Sequence, residues 1–335
     1  MAHTVTLIPG DSLGPELAPV VQRVVAATGA DIHWEIVPAG HGADRATGDP
    51  LPAETLDSIR KNRVALKGRI DTPEGTGYQS PNVRLRKALD LYAVHRPVRN
   101  LPGLPARWSD VDLVMIREGT EDVYAGIEHE VVPGVAQSLK VTTREACLRI
   151  CRHAFEYARA HGRKKVTLVH KANIMKMSDG LFMRCGEEIA ADYPDLQFNT
   201  IIADNACMQM VRKPHQFDVL VSQNLFGDIL ADLGAGIVGG IAAVWGELCG
   251  DDDIHVFEVL HGIAPDLEGQ GVANPLPFLL PAKALLAHLG ETEAAARLEC
   301  AICGVLQDGV RTRDLGGTTD TAAFERALVE HIERV

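Results

Sequence analysis

Short apolar runs of strand type recur along this chain and alternate with helix-period text: VTLIP, then LGPELAPVVQRVVAATG, then IHWEIVPA, and later VDLVMI, KVTLVHK and FDVLVSQ. Runs of that length between amphipathic helices are buried by helices on a sheet, so the class is α/β with a parallel or mixed sheet. In the first such unit, Pro9 and Gly10 end a strand, and Pro15 and Glu16 open a helix, where proline suits the first turn and an acid suits the positive helix end. At 335 residues the chain exceeds the usual span of one core, which predicts two lobes. No internal repeat or Gly/Ser tether separates them, so crossing strands are expected to join them.

Composition excludes several functions. There are 33 basic and 45 acidic residues, a net charge of −12, and no block of Lys or Arg for a polyanion to grip, so nucleic acid is not an expected partner. No apolar stretch approaches twenty residues and the first residues lack a basic then apolar leader, so no membrane segment is expected and the location reads as cytoplasmic. The cysteines number seven, an odd count, and sit in helix-like text such as EACLRICRHAFEYA, which argues against a disulfide framework. Cys300 and Cys303 have C-x-x-C spacing within the periodic run AARLECAICGVL, and core packing is the expectation there rather than redox or metal chemistry.

Five segments carry the polar chemistry: 67–82, 117–129, 171–180, 223–232 and 258–274. SPNVRLRKALDLYAVHRP places Ser80, Asn82, Arg86 and Arg96 near one another, and REGTEDVY adds Arg117 and Tyr124. Converging guanidiniums suit a small polycarboxylate, each gripping a carboxylate with two parallel hydrogen bonds, although arginines on one helix commonly face solvent. In QNLFGDILADL, Asp228 and Asp232 are one helical turn apart and project from one face, a pattern able to hold a hard cation such as Mg2+ or Mn2+. Acids decorating a helix start are the plainer alternative. Asp204 is a further ligand candidate, whereas Asp251, Asp252 and Asp253 read as a solvated loop. VHKANIMKMSDG puts Lys171 and Asn173 at the end of a strand, where α/β folds place active residues; a lysine beside cations becomes a proton acceptor near neutrality.

Gly234, Gly236 and Gly239 match the G-x-G-x-x-G dinucleotide pattern by spacing, but they follow the helical run DILAD rather than a strand. Close packing is the expected role, and the fold is not a Rossmann fold. The cofactor loop is better sought in HGIAPDLEGQGVANP, whose Gly/Pro-rich backbone can approach a nucleotide closely.

Taken in order, IPGDSLGPE, Lys67-Gly68 with Thr72-Pro73, SPNVRLRKALDLY with Arg96-Pro97, REGTEDVYAGIEH, VHKANIMKMSDG, FDVLVSQNLFGDILAD and HGIAPDLEGQGVANP resemble the isocitrate and isopropylmalate dehydrogenases, the metal-dependent β-decarboxylating dehydrogenases. The resemblance implies a two-lobed isopropylmalate dehydrogenase-like fold with a mixed sheet. Its large cofactor-side lobe would span about 1–91 plus 240–335, and its small substrate and metal lobe about 92–239, with an arm near 124–142 that pairs with a second copy of the chain. A homodimer with shared active sites follows, Lys171 acting across its interface.

By the same resemblance, Arg86, Arg96 and Arg117 bind the malate carboxylates. Asp228, Asp232 and Asp204 hold Mg2+ or Mn2+, and Lys171 takes the hydroxyl proton. Tyr124 protonates the product enolate, and Asn173 orients substrate or nicotinamide. NAD is the implied cofactor, through Thr72, Glu258, His261, Gly262, Ala264, Pro265, Asp266 and Asn274. Asp266 stands where NADP-preferring members carry a basic residue, and a carboxylate there accepts from ribose hydroxyls and repels a 2′-phosphate. Ser80 and Asn82 match the Ser-x-Asn pattern of isocitrate enzymes, which points to isocitrate over a branched alkyl malate. The sequence departs from the family at Gly119 for Asn, Asp122 for Gly and Ile263 for Thr. With His95 and Arg84, extra positive charge suggests a more highly charged distal group, such as the phosphonate of phosphonomethylmalate, as an alternative; homoisocitrate, isopropylmalate and tartrate are others, and a non-catalytic regulatory subunit is the alternative of another class.

Overall fold

The computed structural model describes residues 2–75 and 77–334. In chain order the strands are β1 (His3–Ile8), β2 (Ile32–Ile36), β3 (Val64–Lys67), β4 (Ala93–Arg99), β5 (Asp112–Glu118), β6 (Glu128–Val132), β7 (Val135–Ser138), β8 (Lys165–His170), β9 (Gln197–Ile202), β10 (Val219–Ser222), β11 (Gly246–Cys249) and β12 (His255–Glu258). The helices are α1 (Gly14–Ala27), α2 (His41–Thr47), α3 (Ala53–Asn62), α4 (Pro81–Ala88), α5 (Arg144–Ala160), α6 (Ser178–Ala190), α7 (Ala203–Arg212), α8 (Asn224–Val238), α9 (Leu276–His288), α10 (Thr292–Gln307) and α11 (Thr321–Arg334).

The chain forms two compact units. The first runs to Leu89, takes Asn100–Ala106 and resumes at Gly239; the second takes Asp90–Arg99 and Arg107–Val238. Strand order in the first is β2-β1-β3-β12-β11, parallel except for the antiparallel β11–β12 pair. In the second it is β4-β5-β10-β8-β9, antiparallel only at β4–β5. The expected mixed α/β sheet is therefore observed.

The first unit's core is aliphatic: Leu17, Val21 and Val24 of α1 pack with Phe278, Leu285, Leu298 and Phe324 from α9, α10 and α11. Pro15 sits in the first turn of α1, as its fixed φ favours. In the second unit, α5 buries Cys147, Ile150, Cys151, Ala154 and Phe155 along one stripe. Cys147 and Cys151 are thus core residues, and burial pushes both thiols up. Cys300 departs from expectation: it is exposed on α10, and Cys303 is only half-buried, because their spacing puts Cys300 one position off the stripe set by Leu298, Ala301 and Ile302.

Segment 223–232 is not a loop, since α8 starts at Asn224 and carries Gly234 and Gly236 within it. The dinucleotide-like spacing is therefore helical, as the preceding DILAD text indicates. β6 and β7 form an antiparallel hairpin whose strand residues are all exposed.

Candidate active site

The second unit assembles its polar chemistry where β5 ends and α8 begins. Arg117, near the end of β5, is 2% exposed. Its Nε donates to Asn224 Oδ1 at 2.7 Å and its Nη1 to Asp228, while its guanidinium lies 5.0 Å from the Tyr124 ring centre. The Tyr124 hydroxyl donates to the other Asp228 oxygen. Gly227 permits this approach: a Cβ there would lie 2.7 Å from Arg117 Cβ and Cγ. Three expected residues, Arg117, Tyr124 and Asp228, thus meet around one carboxylate. Asn224, fully buried and donating to Glu121 O at 3.1 Å, is a positioning residue that motif reading passed over. Its signal was present in QNLFGD, directly ahead of the aspartates.

Asp232 is exposed one turn beyond Asp228 on α8. The pair is an all-oxygen, water-accessible donor set beyond the first turn of α8, so it does not simply decorate a helix start; with the Asp228 side chain 44% exposed, it fits a hard cation such as Mg2+ or Mn2+. Arg96 is buried in β4.

Lys171 follows directly on β8 and its ammonium binds Asp204, which it holds below the usual carboxylate range. Its backbone N–H donates to Asp179 Oδ2 at 2.6 Å, and Asp179 is fully buried against Lys140 at 2.8 Å. Lys140 also lies 3.6 Å from Asp122. Asn173 is exposed in the turn that follows Lys171.

In the first unit, Ser80 caps α4 by accepting from Val83 N–H at 3.5 Å, and receives the Thr72 hydroxyl at 3.0 Å. Asn82 accepts from Lys67 Nζ at 3.0 Å and donates to Ile70 O at 2.9 Å, so both ends of its amide brace the loop. Lys67, 2% exposed, also pairs with Glu258 at 3.1 Å. Glu258, expected beside the cofactor, is held in this buried ion pair because β3 and β12 put the two residues opposite each other. Arg86 is buried in the last turn of α4. His41 has no local motif to reveal it: its Nε2 donates to Asp71 Oδ2 at 2.8 Å and its Nδ1 meets the Tyr78 hydroxyl at 3.1 Å, flanking Thr72 with a residue thirty positions from Asp71.

A cavity of about 480 Å³ in the first unit is lined by His261, Gly262, Ala264, Asp266 and Asn274, with Arg313 and Asp314 on its wall. Pro265 is exposed between two of the lining residues. The size suits a nucleotide portion. His261 is 9% exposed; its Nδ1 faces Gly262 O at 2.8 Å and its Nε2 is buried with no hydrogen-bond partner. Burial lowers its pKa, so the neutral ring donates from Nδ1 and offers Nε2 as an acceptor. An orphaned acceptor in a nucleotide-sized cavity fits a ribose hydroxyl or adenine amino group. Asn274 donates to Asp314 at 2.8 Å and accepts from Leu276 N–H at 2.9 Å.

The family departures have local causes. Arg84 does not add a spare cation: Asp49 grips it with two hydrogen bonds of 2.6 and 3.2 Å and is itself held below the carboxylate range. His95 and Arg96 are successive strand residues and point to opposite faces, and His95 packs on His153 and Tyr157. A Cβ at Gly119 would lie 2.9 Å from Val94 Cγ2 and 3.1 Å from Leu91 O, so the chain is tight where the family carries Asn. Ile263 is 41% exposed and lines the cavity.

The model of the isocitrate/isopropylmalate dehydrogenase family matches residues 4–331. The chain is 46% identical to catalytic subunit 5 of the mitochondrial NAD isocitrate dehydrogenase of Arabidopsis thaliana, over 98% of this chain and 88% of that one. It is also 46% identical to a regulatory subunit of the mitochondrial NAD isocitrate dehydrogenase of Dictyostelium discoideum, over 98% and 91%. Among solved structures, an isocitrate dehydrogenase from Methylococcus capsulatus superposes with a TM-score of 0.94 at 48% identity, covering 98% of this chain and 99% of that one.

Proposed function

Since the chain belongs to the isocitrate/isopropylmalate dehydrogenase family, we propose that its substrate is isocitrate, oxidised by NAD and decarboxylated to 2-oxoglutarate and CO2. The chain is an NAD-dependent decarboxylating dehydrogenase of a hydroxy acid, in a family that uses Mg2+ or Mn2+. The observation that carries the finer reading is the polar pair Ser80 and Asn82 at the start of α4, Asn82 braced by Lys67, with Arg84 neutralised by Asp49. Polar side chains there suit a distal carboxylate rather than a branched alkyl group. The paired Arg84 removes the charge argument for a phosphonate.

In this reading Arg86, Arg96 and Arg117 hold the substrate carboxylates. Bound at Asp228, Asp232 and Asp204, a divalent cation would polarise the substrate hydroxyl and the ketone formed from it, and NAD would accept the hydride. Lys171 takes the hydroxyl proton as the hydride leaves C2. After the β-carboxylate departs as CO2, Tyr124, already donating its hydroxyl proton toward Asp228, supplies the proton to C3. In the cofactor cavity, His261 Nε2 and the Asp266 carboxylate receive hydrogen bonds from adenosine.

The exposed β6–β7 hairpin and the exposed Ile174, Met177, Met208, Leu225 and Ile229 of the second unit support a homodimer, since a lone two-stranded hairpin is marginal in water. Two such surfaces against each other make an isologous interface. A catalytic rather than regulatory role is supported by the presence of Tyr124, Lys171, Asp204, Asp228 and Asp232 together. A cytoplasmic location is part of the same reading and is tested by cell fractionation; seven cysteines in thiol form fit a reducing compartment. Among the described residues no helix is long and apolar enough to cross a membrane.

The test is NADH formation by the purified chain alone, with Mg2+ and matched isocitrate, homoisocitrate, isopropylmalate, tartrate, malate and phosphonomethylmalate. Isocitrate is expected to have the highest kcat/KM; a tenfold preference for any other acid overturns the assignment, and no turnover of any of them overturns the catalytic role.

A further inference from the structure

The first unit carries a group of side chains that the dehydrogenase reaction does not use. β11 and β12 pair antiparallel with Cys249 opposite His255 and Glu247 opposite Phe257, so Glu247 and His255 are diagonal neighbours on one face. The last turn of α9, which packs on β12, presents His288 to the same place. His255 Nδ1 lies 2.7 Å from Glu247 Oε1, and the His255 and His288 rings are 4.1 Å apart. One ligand atom from each of the three falls within 4.8 Å of the others.

We propose that Glu247, His255 and His288 bind a divalent transition-metal ion of the Zn2+ class, in addition to the hard cation taken by the α8 carboxylates. Two imidazoles and a carboxylate are a donor set that Zn2+, Ni2+, Co2+ and Cu2+ favour and Mg2+ does not. Ligand atoms at about 2.0–2.2 Å from a tetrahedral ion are about 3.3 Å apart, so atoms that already lie within 4.8 Å of one another need to close by at most about 1.5 Å. Exposed Asp253 lies 3.7 Å from His255 Nε2 and adds negative potential beside the ring. The 2.7 Å hydrogen bond from His255 Nδ1 to Glu247 Oε1 carries the proton that the ion would displace. His288 is exposed, so water has access to the remaining coordination positions. The ion would tie the β11–β12 pair to the end of α9.

The experiment loads the chelator-stripped full chain with one equivalent of Cu2+ for electron paramagnetic resonance, and with Zn2+ for calorimetric titration and melting curves. The carboxylates of α8 offer only oxygen, so nitrogen couplings separate the two sites. Wild type is expected to show two imidazole couplings and a Zn2+-dependent rise in Tm. His288→Gln, at an exposed position, should lose one coupling, weaken Zn2+ binding by at least about tenfold, and abolish the Tm rise. Its NAD-linked turnover in saturating Mg2+ should be unchanged, and its metal-free Tm should equal that of wild type. His255→Gln should likewise lose one coupling and the Zn2+-dependent rise, from a metal-free Tm lowered by loss of the Glu247 hydrogen bond. Oxygen-only ligation in wild type, or nitrogen couplings and Zn2+ affinity that survive in His288→Gln, overturns the proposal.

Discussion

Asp122 sits at φ 70° and ψ −150°, a backbone region that side chains other than glycine occupy at a cost of about 1–3 kcal/mol. Its carboxylate compensates. It accepts from Val123 N–H at 2.8 Å and from Leu225 N–H at 3.0 Å, satisfying a donor at the start of α8, and it faces Lys140. Losing such a cap costs about 0.5–2 kcal/mol. Asp122→Ala should lose the cap and keep the strain, whereas Asp122→Gly should lose both. The urea midpoint of Asp122→Ala is therefore expected to lie below those of wild type and of Asp122→Gly; equal midpoints for the two variants would remove the strain argument. Asp266 supports a second expectation at this scale. It is exposed on the rim of the nucleotide cavity, where its charge opposes a 2′-phosphate. Asp266→Lys should shift the NAD to NADP ratio of kcat/KM by at least about tenfold toward NADP, the equivalent of about 1.4 kcal/mol. His261 adds a pH signature. Its folded pKa is below its unfolded value, so the unfolded chain binds the extra proton, and stability falls as pH drops below about 6.5. In His261→Gln that part of the acid limb should flatten in urea titrations run between neutral and mildly acidic pH.

At the scale of elements, α8 joins binding to packing. Gly227 lets the helix rest on Arg117, while Gly236, on the same helix, is exposed with nothing within 4 Å of an added Cβ. Gly227→Ala should displace Arg117 and lower kcat/KM by about a hundredfold, the scale expected for a misplacement near 1 Å. Gly236→Ala should raise stability by about 0.5–1 kcal/mol with turnover intact. If both variants behave alike, close packing at Gly227 is not what orders Arg117. The same helix shows what was legible beforehand. Its aspartates were visible because side chains one turn apart share a face, and its G-x-G-x-x-G spacing was discounted because no strand precedes it. β1, β5, β8 and β10 announced themselves as apolar runs buried by helices. β11 and β12 did not: each is four residues long, and the DDD turn between them reads as solvated loop. Partnerships between distant segments were also hidden, as with His41 and Asp71, Asp49 and Arg84, or Asn224 and Arg117. Nothing local in a sequence says which charge will neutralise which, so the grip of Asp49 on Arg84, thirty-five positions apart, has no signature in SPNVRLRK.

For the whole molecule, the question is whether one chain makes a complete site. Within the chain, Lys171 is bound to Asp204, and Tyr124 and Arg117 are bound to Asp228. If Lys171 serves the partner's site, a lesion at Lys171 and a lesion at Asp228 damage different sites of a mixed dimer. Lys171→Met and Asp228→Asn should each abolish turnover alone. Unfolded together and refolded as a mixture, half of the dimers are hybrid, and in each hybrid one of the two sites has both groups intact, so activity should return to roughly one quarter of wild type. A chain whose hairpin residues 128–138 are replaced by a short Gly-Ser turn should fail to recover in the same experiment and should sediment as a monomer, because the exposed strands have lost their counterpart. Recovery of activity by mixing requires that the dimer share its sites. The absence of recovery from a mixture that does sediment as dimers would place Lys171 and Asp228 in one chain's site and make the interface a matter of stability alone.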